Sequence, residues 1–178
     1  MDSVSFSHIW AMRIWFVVLA VSIMFFHLIP LDTTPPRWAP PDFLIAFAFA
    51  WSTRRPDFVP ALSIAGVLLL ADLLFQRPPG LMALFVVLGC EYLKNRASGL
   101  GETSFVAEWF AVSYVILIIT LLYRLSLAVT LVDRPPLAMH LLQMALTIGV
   151  YPLVAMLTQT AMGVRRLSPG DADAMGAR

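Results

Sequence analysis

Asp72 stands alone as an acid in the run ALSIAGVLLLADLLF. A carboxylate at that depth in an apolar helix is costly unless it meets a partner or water. Three chemistries would use it: a proton or ion site, a polar contact with a partner protein, or a packing pair inside the fold. Its place about three residues from the helix end favours the packing pair. Arg124 is the only Lys or Arg deep inside a predicted span, Arg13 lying in the first turn of its own. It lies roughly 12 Å from the end of its helix, against about 5 Å for Asp72 in its own. A long guanidinium can cover much of that gap. Asp72 and Arg124 are therefore expected to form an ion pair, with Asp42 as the competing partner.

His27 and His140 fall near the same end of the predicted helices. Two histidines and an acid invite a metal reading, but their spacing matches no metal motif. Interfacial histidines are the better account, and no metal is expected. Glu91 and Lys94 are an i, i+3 pair expected to make a solvated surface contact. Ser63, Ser113 and Ser126 have no histidine beside them in sequence. Small hydroxyl residues are ordinary packing material between membrane helices. There is no hydrolase elbow, phosphate loop, HExxH or pair of catalytic carboxylates. The chain is expected not to be an enzyme and to need no cofactor.

The elements that position these residues follow from composition. The chain is 178 residues long, 60% hydrophobic and only 13% charged. Soluble domains carry about a quarter charged residues. Apolar blocks recur along the whole length, which predicts an all-α polytopic membrane protein. A net charge of +1 gives nucleic-acid binding no electrostatic footing. The single cysteine, Cys90, excludes an internal disulfide and any multi-cysteine metal site. The first apolar run is followed by Pro30-Leu31-Asp32 and not by a small-residue cleavage site, so it is expected to be a retained helix.

Six helices are predicted. The first covers about 10–29, with Trp10 and Trp15 as interface anchors. The second, about 41–52, is short for a span of roughly 20 residues. The third, 58–75, is so apolar that the others are expected to pack around it. The fourth covers 80–93, and 94–101 reads as a polar loop. Thr103 or Ser104 caps the fifth, which runs to about 132 with Glu108 near its positive dipole end. Asp133-Arg134-Pro135-Pro136 stops it, and the sixth covers 137–163. One domain, 1–163, is expected, with a disordered cytoplasmic tail over 164–178.

Pro41-Asp42 opens helix two and Trp51 closes it. Pro56 follows five residues later, Asp72 nears the end of helix three, and Gly80 lies eight residues beyond. In this joint spacing the stretch 41–80 resembles the rod-shape-determining membrane protein family MreD. Length, six spans and short loops agree, while helices five and six match only as apolar spans. Two departures stand out: Leu68 where the family often has glycine, and Pro78-Pro79 before Gly80. The resemblance implies a non-enzymatic subunit of the bacterial elongation machinery in the inner membrane. Such a subunit binds MreC and through it joins MreB filaments to the peptidoglycan synthases. It leaves a homodimer open. It also implies a fold similar to the substrate-binding subunits of energy-coupling vitamin transporters. A vitamin-transport subunit is therefore the alternative reading.

The charges orient the helices. Arg13, Arg54, Arg55, Lys94, Arg96, Arg165 and Arg166 fall on the side of the termini, against Arg37, Arg77 and Arg134 opposite. This bias places both termini in the cytoplasm. Reporter fusions at Arg178 and within 32–40 should give cytoplasmic and extracytoplasmic signals respectively. An extracytoplasmic signal at Arg178 would contradict the six-helix reading.

Overall fold

The computed structural model describes residues 6–29, 39–99, 104–130 and 136–162. Its described residues form an all-α protein. The helices are α1 (Phe6–Leu28), α2 (Phe43–Arg54), α3 (Ala61–Leu74), α4 (Leu81–Gly99), α5 (Phe105–Val129) and α6 (Leu137–Met162), with a 3₁₀ turn over Pro56–Phe58. The expected tail, the segments 30–38, 100–103 and 131–135, and the charges Arg37, Arg134, Arg165 and Arg166 lie outside the described residues.

Consecutive helices run antiparallel. Phe6 of α1, Arg54 of α2, Ala61 of α3 and Phe105 of α5 mark one end of the bundle, called the base below. Phe43, Leu74, Leu81 and Leu137 mark the other, called the crown. Side-chain contacts fix this arrangement at both ends, Arg13 to Asp57 at the base and His27 to Phe75 at the crown.

The axis is α2, and not the third helix as expected. Leu44 through Ser52 and Arg54 are all buried. Ala46, Ala48 and Ala50 keep its backbone slim, so α1, α4 and α6 approach closely. By contrast α3 leaves Leu62, Leu69, Leu70, Leu73 and Leu74 exposed and packs against α1 and α4 at the rim. Apolarity alone cannot distinguish a helix wrapped by protein from one facing lipid, because both avoid water. The 12 residues of α2 give about 18 Å, short of the roughly 30 Å hydrocarbon layer. Enclosed by other helices, α2 has no lipid thickness to match.

Periodicity delivers one buried face from each neighbour. Met12, Phe16, Ala20 and Met24 of α1 follow strict i, i+4 spacing, as do Thr147, Tyr151 and Ala155 of α6. Gly89 lets α4 press into α5 and α2. A Cβ there would stand 2.8 Å from Val115 Cγ1 and 2.9 Å from Ile119 Cδ1. At the α3 end, Gln76 takes a left-handed φ of 55°, the Arg77 amide donates to the Asp72 carbonyl, and that of Gln76 to Leu73. This pattern satisfies carbonyls that the helix end would otherwise leave bare. The fourth helix overruns its predicted end and absorbs 94–99. Lys94, Asn95, Arg96, Ala97 and Ser98 offer polarity but no helix breaker, so the helix projects beyond its apolar part.

Three helices, over His8–Leu28, Phe105–Val129 and Leu137–Thr160, are long and apolar enough to cross a membrane. Their outward faces carry Trp15, Phe25, Phe26, Phe110, Leu121, Leu125, Leu153 and Leu157. Apolar surface of this extent suits hydrocarbon and not water.

Pro152 lies inside α6. It has no N–H, so the Ile148 carbonyl one turn earlier loses its helical donor. The Trp109 indole Nε1–H donates to that carbonyl at 3.0 Å, tying α5 to the break in α6. Trp109→Phe should therefore destabilise the folded protein by about 1–3 kcal/mol. In a Pro152→Ala background, where the helix supplies its own donor, the loss should shrink. Thermal unfolding in detergent measures both, and equal losses in the two backgrounds would show no coupling.

Candidate functional site

Two polar layers cross the apolar interior, one at each end of α2. The base layer centres on Arg54, whose side chain is 5% exposed. Its Nε–H donates to Glu108 Oε1 at 3.2 Å, and Nη1 donates to the Ala155 carbonyl and to Gln159 Oε1, both at 2.9 Å. The Tyr151 hydroxyl donates to the same Glu108 oxygen at 2.5 Å. Thr53 Oγ1 stands 3.4 Å from that hydroxyl. Thus α2, α5 and α6 are joined by one ion pair and its supporting hydrogen bonds. Ser104 Oγ caps α5, accepting from the Ala107 amide, and so aligns the turn that carries Glu108.

Neither Arg54 nor Glu108 was expected in this role. In the sequence Arg54 reads as part of the charge bias that orients the helices, and Glu108 as a complement to the dipole of α5. The available signal was a pair of opposite charges, each just inside an apolar helix, at the same end of antiparallel elements.

The 3₁₀ turn at the base is clasped from two sides. Arg13 donates through Nε and Nη2 to the Asp57 carbonyl at 3.2 and 3.1 Å. Lys94 donates to the Val59 carbonyl and to Glu91, each at 2.7 Å. The Glu91–Lys94 pair is therefore present, but its lysine is mostly buried and joins α4 to the turn. It is more than the solvated contact expected from spacing. Arg55 lies over the Phe58 ring at 4.4 Å.

The crown layer holds most of the residues singled out in the sequence. Pro41 precedes α2, and Asp42 is its cap: Oδ1 accepts from the Ile45 amide at 3.2 Å. The Asp42 amide donates to Thr147 on α6 at 2.9 Å, and Oδ2 pairs with Arg77 at 3.4 Å. Helix two thus begins two residues later than predicted, because Asp42 caps it from outside. Asp72 is 1% exposed, and its Oδ2 accepts from the Ala83 amide at 3.1 Å. The amides of Gly80 and Met82 turn toward the same carboxylate. Asp72 therefore serves the open N-terminus of α4, where helical N–H groups lack partners.

The expected Asp72–Arg124 pair is not formed. The ion pairs among the described residues are Arg54–Glu108, Arg77–Asp42 and Lys94–Glu91. Asp72 instead accepts from the backbone at the start of the next helix, whose amides lack helical partners. Arg124 is half-buried on α5, within electrostatic reach of His140 on α6. Asp42, weighed as its competing partner, is engaged by Arg77. His140 stacks on Tyr123 at 6.0 Å, and His27 packs on Phe75 at 4.7 Å. Among the described residues no three His, Cys, Asp or Glu side chains gather as metal ligands. A cavity of about 30 Å³ among Asp42, Thr120, His140, Gln143 and Thr147 is large enough for a water molecule.

Trp51 is fully buried between Phe16, Phe47 and Phe58, with ring centroids at 5.7, 5.3 and 6.4 Å. It locks α2 to α1 and to the turn that Pro56 opens. Gly80 has φ +80°, a conformation that favours glycine, and it delivers the chain into α4. Comparison with protein-family models, curated proteins and solved structures finds no match to the chain.

The base layer predicts a specific mutational pattern. Arg54→Met and Glu108→Gln should each cost about 3–5 kcal/mol, since each leaves a buried charge without its counter-ion. The double variant should be more stable than the sum of the two losses implies. Folded yield and melting temperature in detergent measure this, and strictly additive losses would mean the charges are not coupled.

Proposed function

We propose that the chain is a scaffold subunit of the bacterial cell-elongation complex, of the MreD kind, lying in the inner membrane with six spans and both termini in the cytoplasm. On this reading it turns over no substrate. It binds MreC and so links MreB filaments to peptidoglycan synthesis.

One observation carries the reading. Five of the six residues of the 41–80 pattern are spent on joints: Asp42 on α2, Trp51 and Pro56 on the turn, Asp72 and Gly80 on the start of α4. A pattern built of joints preserves a shape, and a fixed shape is what a partner helix needs in a bilayer, where association rests on packing. The shortness of α2 and α3 fits six spans, because α2 is sheathed in protein and α3 is extended at the base by the Pro56–Phe58 turn.

Depleting the protein in its rod-shaped host should make cells round up, and a detergent pull-down of the tagged chain should recover MreC. Normal shape with loss of vitamin uptake, or recovery of an ATP-binding cassette pair, would instead establish the transport reading.

A further inference from the structure

The base layer has an open flank. A cleft of about 460 Å³ is lined by Arg54, Phe105, Pro152, Met156 and Gln159. Phe105 stands at the base under the Arg54 guanidinium, and the α6 residues run inward from there. Along α6, Gln159 is nearest the base, Met156 lies about one turn inward and Pro152 another turn beyond. Two donors on the cleft wall are left over from the base layer. Arg54 uses Nε and Nη1 within the fold, and Nη2 donates to nothing among the described residues. Gln159 gives its Oε1 to Arg54, so its amide NH₂ is the end that remains.

We infer that this cleft binds an anionic phospholipid, with phosphate oxygens on Arg54 Nη2 and the Gln159 amide and an acyl chain along Pro152 and Met156. The guanidinium is held in place by Glu108, Ala155 and Gln159 before any ligand arrives, so little ordering is required of it. A planar guanidinium can serve one acid through Nε and another through Nη2. Charge at this end favours an anion. Among the described residues Arg13, Arg54, Arg55, Lys94 and Arg96 outnumber Asp57, Glu91 and Glu108. Basic groups at a membrane edge attract anionic headgroups. The polarity gradient along α6 matches a lipid standing in its own leaflet, headgroup at the base and chain toward the middle. A small soluble anion would gain nothing from Phe105, Pro152 and Met156.

Native mass spectrometry of the full chain in mild detergent tests this, with phosphatidylglycerol and diacylglycerol, which lacks the phosphate, of identical acyl chains as probes. Phosphatidylglycerol should be retained about tenfold more strongly, the worth of one charge-assisted hydrogen bond. Gln159→Leu should remove most of that preference, and Met156→Trp, which fills the cleft, should weaken retention of the lipid. Both side chains can change without stripping Glu108 of its arginine, whereas Arg54→Met would strand a buried acid. Equal retention of the two lipids, or unchanged retention in both variants, would overturn the assignment. Thermal stabilisation by inorganic phosphate alone, equal to that by phosphatidylglycerol, would also overturn it in favour of a free-anion site.

Discussion

The Arg54 guanidinium stands at the foot of the most deeply enclosed helix of the molecule, and groups from two other helices hold it there. Taking such a charge out of water costs several kcal/mol unless a counter-ion and hydrogen-bond acceptors replace the solvent. Glu108 supplies the counter-ion from α5, and Ala155 and Gln159 supply acceptors from α6. Tyr151 donates to the same carboxylate oxygen from α6. Each of these groups is useful only if α2, α5 and α6 meet in one register, so the pair specifies an arrangement as well as stabilising it. The slim alanine face of α2 and the absent side chain at Gly89 allow the close approach that this register demands.

Elsewhere in the bundle the same requirement recurs. In an apolar interior every polar backbone group must find a partner within the protein. Pro152 frees the Ile148 carbonyl, and Trp109 answers it. The first turn of α4 presents bare amides, and Asp72 answers them. The 3₁₀ turn offers the Asp57 and Val59 carbonyls, and Arg13 and Lys94 answer those. In all these cases a side chain from one element satisfies the backbone of another. The charged and aromatic side chains in these contacts act as joints between elements.

Much of the architecture was legible in the sequence. Apolar blocks and proline breaks located six helices, and of Thr103 and Ser104, both candidates for the cap of α5, Ser104 makes it. Asp42 and Asp72 stood out because acids are rare in apolar runs, yet their partners were misjudged. Pairing charge with charge sent Asp72 toward Arg124, whereas the nearest unsatisfied donors were backbone amides, which carry no letter in a sequence. The identity of the central helix was hidden for a related reason. Hydropathy rises equally for lipid-facing and protein-facing residues, so leucine-rich α3 looked more central than alanine-rich α2. Residue size was the better guide, since small side chains mark where helices approach. The Arg54–Glu108 pair was missed because each charge had a sufficient local explanation, a topological one for Arg54 and a dipole for Glu108.

The claim on which the rest depends is that α2 is the enclosed axis of the bundle, fixed at its base by the Arg54 layer. Hydrogen–deuterium exchange of the purified protein in detergent tests it directly. The amides over 46–54 should be the slowest in the chain, opening only when the whole bundle opens, and those of α3 should exchange first among the short helices. Exchange of 46–54 as fast as that of α3 would contradict the account.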